Sequence, residues 1–203
     1  MRQPSQMLIE LNMSTRAEHA EADAPWLDLL MRDITADQYA HLLRRVYGFE
    51  APLEASLAYT PHLSLVIDPR ERARSGLIAQ DLLALGFAPA QLTRLPQCLE
   101  IAPFRGPAEA LGWMYVAERS TLLHTHVRRH VQDRLPQAAN ATAFLADCDG
   151  VVSERWNDLG RVLDEVARRP ELVRQIASAA HDAFRCQRQW MADGERDAHA
   201  RGA

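Results

Sequence analysis

The sequence predicts an all-α protein, a compact multi-helical bundle, and three observations carry that expectation. Apolar residues recur at spacings of three and four along almost the whole chain, the period of a helix with one buried face. Alternating runs, the mark of a half-buried strand, are nearly absent. Capping residues, prolines and a glycine mark the ends of several periodic stretches.

A first helix is expected over residues 6 to 22. The second, 35 to 59, opens on Thr35 with Gln38 three residues later, a capping-box pair, and Pro52 inside it is expected to produce a kink. His62 to Ile67 could pass for a short strand, but nothing else in the chain would pair with it, so it reads as a loop or helix edge. A third helix, 69 to 85, starts at Pro69 and stops at Gly86, ahead of a connection rich in proline around Pro89, Pro96 and Pro103. Pro107 suits the first turn of a helix over 107 to 133. Helices over 151 to 168 and, restarted by Pro170, over 170 to 191 complete the set. Small and charged residues from Asp193 predict a frayed tail over 193 to 203. No repeat period is present, and 203 residues fit one domain, 1 to 203, of about six to eight helices.

Composition narrows the function classes. The formal net charge of −4 and the pI near 6.1, with no long basic run, argue against a general nucleic-acid binder. All 23 basic residues are arginine, so a lysine Schiff base is excluded and an anionic ligand must be held by guanidinium, imidazole, hydroxyl or backbone groups. The three cysteines, Cys98, Cys148 and Cys186, are an odd number without CxxC spacing, and suggest neither a disulfide framework nor a zinc cage. They read as buried or idle thiols in a reducing cytosol. No apolar run approaches the ~18 residues of a membrane span, and the first residues lack a signal peptide's apolar core. A soluble cytoplasmic protein is expected.

One stretch near the start stands out. Leu11 to Asp23 reads LNMSTRAEHAEAD, with His19 four residues after Thr15 and four before Asp23. Positions four apart share a helix face, so Asp23 can accept from one imidazole nitrogen and leave the other pointing outward, as metal-ligating histidines are arranged. A surface ion pair has the same spacing, and spacing alone does not separate the two. A second cluster, His124, His126 and His130, has the four-residue spacing of helical metal sites but lacks the glutamate of a metalloprotease motif. It reads as a surface group among Arg128 and Arg129, with His124 or His126 as an alternative sixth ligand for a bound iron.

Several segments, in order along the chain, resemble the bacterial biliverdin-producing heme oxygenases, including those that accompany bacteriophytochromes. Leu11-x-x-x-Thr15-x-x-x-His19 is similar to that family's proximal motif, with Asp23 where the family usually has glutamate. Ile34 to Leu43, Tyr47 and Pro52-Leu-Glu54 resemble its second helix, and Arg74 to Gly86 its L-x-x-D-L-x-x-L-G segment. Gly112-Trp-Met-Tyr115-Val116-Ala-Glu118-x-Ser120-Thr-Leu122 is similar to its distal helix, and Trp156, Ala179, Ala183, Phe184 and Trp190 to its C-terminal half. The chain departs from the family pattern at Arg119 and Leu123, where two distal-helix glycines usually stand.

The resemblance implies heme as both substrate and cofactor, opened to biliverdin, carbon monoxide and ferrous iron with O2 and electrons from a reductase or ferredoxin-type donor. A bacteriophytochrome is an implied recipient of the biliverdin. It further implies His19 as the iron ligand, with Asp23 and Ser120 in catalytic positions. Asn12, Arg16, Tyr115, Glu118, Arg119, Leu123, Phe184, Arg185 and Arg188 are the implied heme contacts. Two alternatives remain: a heme-binding or heme-sensing protein of the same fold without turnover, and an enzyme on a thiaminase-like scaffold with a cysteine nucleophile. A ferritin-like diiron protein is disfavoured because paired E-x-x-H motifs are missing.

Overall fold

Periodic apolar spacing is realised as helix along the chain, and no strand occurs among the described residues. The computed structural model describes residues 4–31 and 33–202. Helix α1 (Gln6–Ser14) is capped by the Ser5 hydroxyl, which accepts from Leu8 N, and gives way at Thr15 to α2 (Arg16–Met31). Helix α3 (Ala36–Ala58) starts with the expected Thr35–Gln38 capping box and continues through Pro52. The His62 to Ile67 stretch holds a 3-10 turn at Leu63–Leu65 instead of a strand.

Pro69 opens a second 3-10 turn, Pro69–Arg72, before α4 (Ser75–Ala84). Gly86 ends that helix in the left-handed region (φ 94°), and Phe87 N reaches back to Leu82 O at 3.1 Å. There follow α5 (Pro89–Leu92), α6 (Pro107–Ser120), α7 (His124–Arg134), α8 (Ala143–Ala146), α9 (Val152–Val166) and α10 (Pro170–Gly202). Three spans expected as single helices are therefore divided, 6 to 22 at Thr15, 69 to 85 by the 3-10 turn and 107 to 133 near residue 121, and the first continues in α2 to Met31.

Two apolar clusters hold these elements. The first surrounds α6, whose Leu111, Met114 and Tyr115 are buried against Leu11 of α1, Phe49 and Leu53 of α3, Leu159 of α9 and Ile176, Ala180 and Phe184 of α10. Gly112 permits the close approach of α6 to α10, since a Cβ there would lie 2.5 Å from Ile176 O. The second cluster joins Trp26 and Leu29 of α2 to Tyr39 and Leu43 of α3, Ile78 and Leu82 of α4, Val127 and Val131 of α7, and Phe144 of α8. Asp81 ties α4 to α8 by accepting from Ala143 N at 2.8 Å and Phe144 N at 2.9 Å, as a carboxylate at a helix start should.

The break between α6 and α7 has a local cause. Hydroxyl side chains can take carbonyls three residues back and so compete with the helical ladder. Ser120 Oγ donates to Ala117 O at 2.7 Å and Thr121 Oγ1 to Glu118 O at 2.7 Å. Thr121 N bonds Glu118 O and Arg119 O instead of Ala117 O, and the chain tightens into a 3-10 turn at Thr121–Leu123 before α7 begins. The Ala117 carbonyl is met a second time by the buried guanidinium of Arg74, Nη2 at 3.1 Å. Arg74 Nη2 also faces Glu50 Oε1 at 3.4 Å, so a fully enclosed ion pair braces the bend from behind.

Candidate functional site

The N-terminal half of α2 faces both α6 and α10, and His19 sits half-buried where the three helices approach. Its ring lies against Phe184 of α10, centroids 5.7 Å apart. Its Nε2 is 3.0 Å from Thr15 Oγ1, whose proton goes to Leu11 O at 2.7 Å. A hydroxyl committed to a carbonyl can only accept from the ring, which puts the imidazole proton on Nε2 and the lone pair on Nδ1. The same Thr15 oxygen is 3.4 Å from the Tyr115 hydroxyl, so α1, α2 and α6 converge on one buried threonine.

Burial, and secondarily the Arg119 guanidinium, push His19 below the ordinary imidazole range, opposed by Asp23 and Glu18. The side chain is therefore neutral at pH 7, the form that ligates a metal. Burial also raises Tyr115, leaving a neutral phenol beside it.

Asp23 is engaged differently from the sequence expectation. Both its oxygens are taken by Arg119 of α6, at 2.5 and 2.8 Å, in a two-pronged pair that joins α2 to α6, while Thr15 partners the imidazole. The planar guanidinium matches a carboxylate with two charge-assisted bonds, which a neutral imidazole cannot equal. Two further polar contacts tie α2 to α10: Glu18 to His181 Nδ1 at 2.7 Å and Glu21 to Arg188 at 3.1 Å.

The other expected residues are scattered around this junction. Asn12 lines a groove of about 340 Å³ between α1 and α9 with Leu8, Ile9, Met13 and Trp156. Trp156 meets Tyr115 edge-on at 5.8 Å, so the groove adjoins the Thr15 and His19 contacts, and its buried Nε1 bonds no described protein group. Arg16 is exposed on α2, and Arg185 is exposed and paired with Asp182 on its own helix. Glu118 is buried against Arg72 at 3.3 Å, toward the Pro69–Arg72 turn. Ser120 spends its hydroxyl on the bend, and Leu123 packs into the second cluster.

The second histidine cluster differs from its surface reading in one member. His126 is exposed, but His124 is wholly buried between Trp26 (5.3 Å) and Phe144 (4.6 Å), because the bend turns the start of α7 inward. It shares no ring neighbour with His19, which weighs against its serving as a second ligand to the same iron. Neither ring nitrogen of His124 bonds a described protein group, and burial, then Arg74, hold it well below the ordinary imidazole range. A histidine kept neutral in the fold takes up a proton more readily once unfolded, so it contributes stability that is lost as pH falls below about 6.5. Urea titrations at pH 7.5 and 5.5 should show His124→Phe losing less stability on acidification than the parent. Equal losses in the two proteins would contradict this account.

A family model described as heme oxygenase matches residues 5–193. The chain belongs to the heme oxygenase family. No curated protein matches it. The all-α architecture is the heme oxygenase fold, and within it α2 bears His19 and is joined to α6 by the Asp23–Arg119 pair. No helix among the described residues is long and apolar enough to cross a membrane. Sequence reasoning missed the Asp23–Arg119 pair and the Thr15 contact to the ring, although Thr15 already stood four residues before His19 on the same face.

The donor set at the junction is of a kind that fits a heme: one neutral imidazole nitrogen, the aromatic rings of Phe184, Tyr115 and Trp156 nearby, and exposed arginines at Arg16, Arg185 and Arg188, the last two paired with Asp182 and Glu21.

Proposed function

We propose that this protein binds heme through His19 and cleaves it to biliverdin, carbon monoxide and ferrous iron, using O2 and electrons from an external reductase or ferredoxin-type donor. The observation that carries the reading is the neutral, half-buried imidazole of His19, set against Phe184 where α2, α6 and α10 meet in a heme oxygenase fold. When bound, the porphyrin iron supplies the oxygen chemistry, and neutral histidine ligation suits it better than a thiolate would.

The protein's own residues do the rest. Thr15 orients the imidazole through the Leu11 carbonyl, Phe184 covers one side of the ring with Tyr115 packed behind it, and Arg16, Arg185 and Arg188 would anchor carboxylates at the rim. Asp23 raises the basicity of the ring electrostatically and restrains Arg119. Held by Asp23, the Arg119 guanidinium is kept from acting as a loose cationic donor beside the reacting centre. The biliverdin is destined for a partner such as a bacteriophytochrome, in a soluble cytoplasmic setting.

One observation favours a second reading, a binder without turnover. The Arg119–Asp23 pair draws α2 and α6 together, at a position where the resemblance implies a glycine. Anaerobic hemin titration, followed by admission of O2 with ascorbate or reduced ferredoxin, separates the two. A high-spin ferric spectrum that proceeds to biliverdin supports the enzyme, whereas a stable spectrum without product supports the binder. His19→Ala should weaken hemin binding by at least about tenfold, as loss of a ligand must exceed loss of a residue merely supporting one. Its stability should change by no more than about 1 kcal/mol, because the ring is only half-buried. An unchanged Soret band in His19→Ala, or no Soret shift in the parent, would sink both readings.

A further inference from the structure

Two thiols distant in sequence meet beside α10. Cys98, in the connection between α5 and α6, places its Sγ 3.4 Å from the Sγ of Cys186 on α10, and both residues are buried. Neither is in a disulfide. We propose that this pair is an oxidation site, at which hydrogen peroxide closes a reversible disulfide that staples the α5–α6 connection to α10.

The surroundings hold both sulfurs in place. Cys98 N donates to Gly48 O of α3 at 2.8 Å. Gly48 itself is so closely covered that a Cβ there would meet Pro96 O at 2.4 Å and Trp190 Cζ2 at 2.5 Å. Trp190, one helical turn beyond Cys186, is fixed in turn by its Nε1 bond to Arg45 O at 2.8 Å. The segment carrying Cys98 is thus seated between α3 and α10. A disulfide needs the sulfurs at about 2.05 Å, so they must approach by roughly 1.4 Å, within the reach of side-chain rotation and small backbone adjustment.

The two thiols are also unequal. The contact with Cys186, a backbone N–H bond at Glu100 and the charge of Arg45 draw the Cys98 thiol down, against the opposing effect of burial. Cys186 is pushed up by the same contact and by burial. With the backbone N–H and the guanidinium on its side, Cys98 is assigned the nucleophile's role. Its thiolate attacks one peroxide oxygen, the O–O bond breaks, and Cys98 becomes a sulfenic acid as hydroxide leaves and is protonated to water. The Cys186 sulfur then attacks the Cys98 sulfur, and its proton departs with the sulfenic oxygen as a second water. Two thiols and one peroxide give one disulfide and two waters, with two electrons passing from sulfur to oxygen. A dithiol reductant reverses the step.

This inference is independent of heme binding, though the staple would sit two residues from Phe184, the ring against His19. Cys148 provides an internal control, since it lies elsewhere, beside Arg155 and Asp147, and burial raises its thiol.

The test uses the full-length reduced protein treated with stoichiometric hydrogen peroxide, then denatured, alkylated with a maleimide and weighed intact without reductant. The expected product has two of its three thiols blocked and a mass lower by about 2 Da before alkylation. Cleavage at arginine should yield residues 95–105 joined to 186–188, and dithiothreitol should restore all three thiols. Cys148→Ser should behave as the parent, whereas Cys186→Ser should instead give a Cys98 sulfenic acid trapped by dimedone. Three alkylatable thiols after peroxide, a bridge to Cys148, or a cross-link only between molecules would each overturn the proposal. Should Cys186→Ser fail to fold, the peptide map of the parent decides it alone.

Discussion

Replacing Arg74 with methionine should remove about 3–5 kcal/mol of folding stability, the cost of breaking a buried ion pair by deleting one member. The guanidinium is enclosed, with Glu50 and the Ala117 carbonyl on Nη2, and methionine fills most of its volume without its charge. Glu50 would then be left as an uncompensated buried carboxyl. Burial already raises it against the opposing pull of Arg74, so without Arg74 it should fold only in its protonated form. A carboxyl raised in the fold gives stability that is kept in acid and lost as pH rises. The penalty for Arg74→Met should accordingly be smaller at pH 5 than at pH 8, and Glu50→Gln added to it should recover part of the loss at pH 8. Urea unfolding of the parent, the single and the double variant at both pH values measures this, and a penalty under 1 kcal/mol, or one independent of pH, would show that the brace is unimportant. Arg105→Met is the contrast: its pair with Glu109 is exposed, and its removal should cost less than about 1 kcal/mol.

The second large effect belongs to Gly112. Valine there should cost about 3 kcal/mol or more, because the contacts a new Cβ would make are to backbone and to another Cβ: Ile176 O at 2.5 Å, Ala179 Cβ at 2.7 Å and Ala180 N at 2.9 Å. Flexible side chains could yield; two helix backbones cannot. Relief requires α6 to separate from α10, which would also pull Tyr115 from Phe184. Gly76→Ala supplies the comparison, since a Cβ meets nothing within 4 Å there and alanine in α4 should stabilise by about 0.5–1 kcal/mol. Thermal unfolding should shift in opposite directions for the two variants. Shifts of the same sign would mean that the close approach of α6 to α10 is not what Gly112 provides.

What was legible in the sequence follows from the range of each signal. Capping at Thr35, the stop at Gly86 and the starts at Pro107 and Pro170 are local, and all appear in the structure. The bend at Thr121 is local too. Adjacent hydroxyls at Ser120 and Thr121 could have announced it, but the apolar period across 107 to 133 masked the interruption. Partners drawn from distant segments were not legible. Nothing in spacing tells Asp23 that a guanidinium 96 residues away will outcompete the imidazole four residues before it, or tells Cys98 that Cys186 will face it. Buried charge was equally hidden, because nothing in the spacing marks Arg74, Glu50 and Glu118 as enclosed before the packing of α3, α4 and α6 is known.

The way the α6–α7 bend is made decides which wall can move. A bend that relies on glycine is a loose joint, free to flatten at small cost. This one is a bracket, fastened by two hydroxyls and an interior guanidinium, and flattening it would strip those fastenings. The far end of α2 is anchored by Trp26 and Leu29, but its His19 end is moored through Glu18, Asp23 and, outermost, Glu21, to which water has access. For the heme proposed above, room between the two helices would therefore have to come from α2 turning about its anchored end, with the opposite wall keeping its shape.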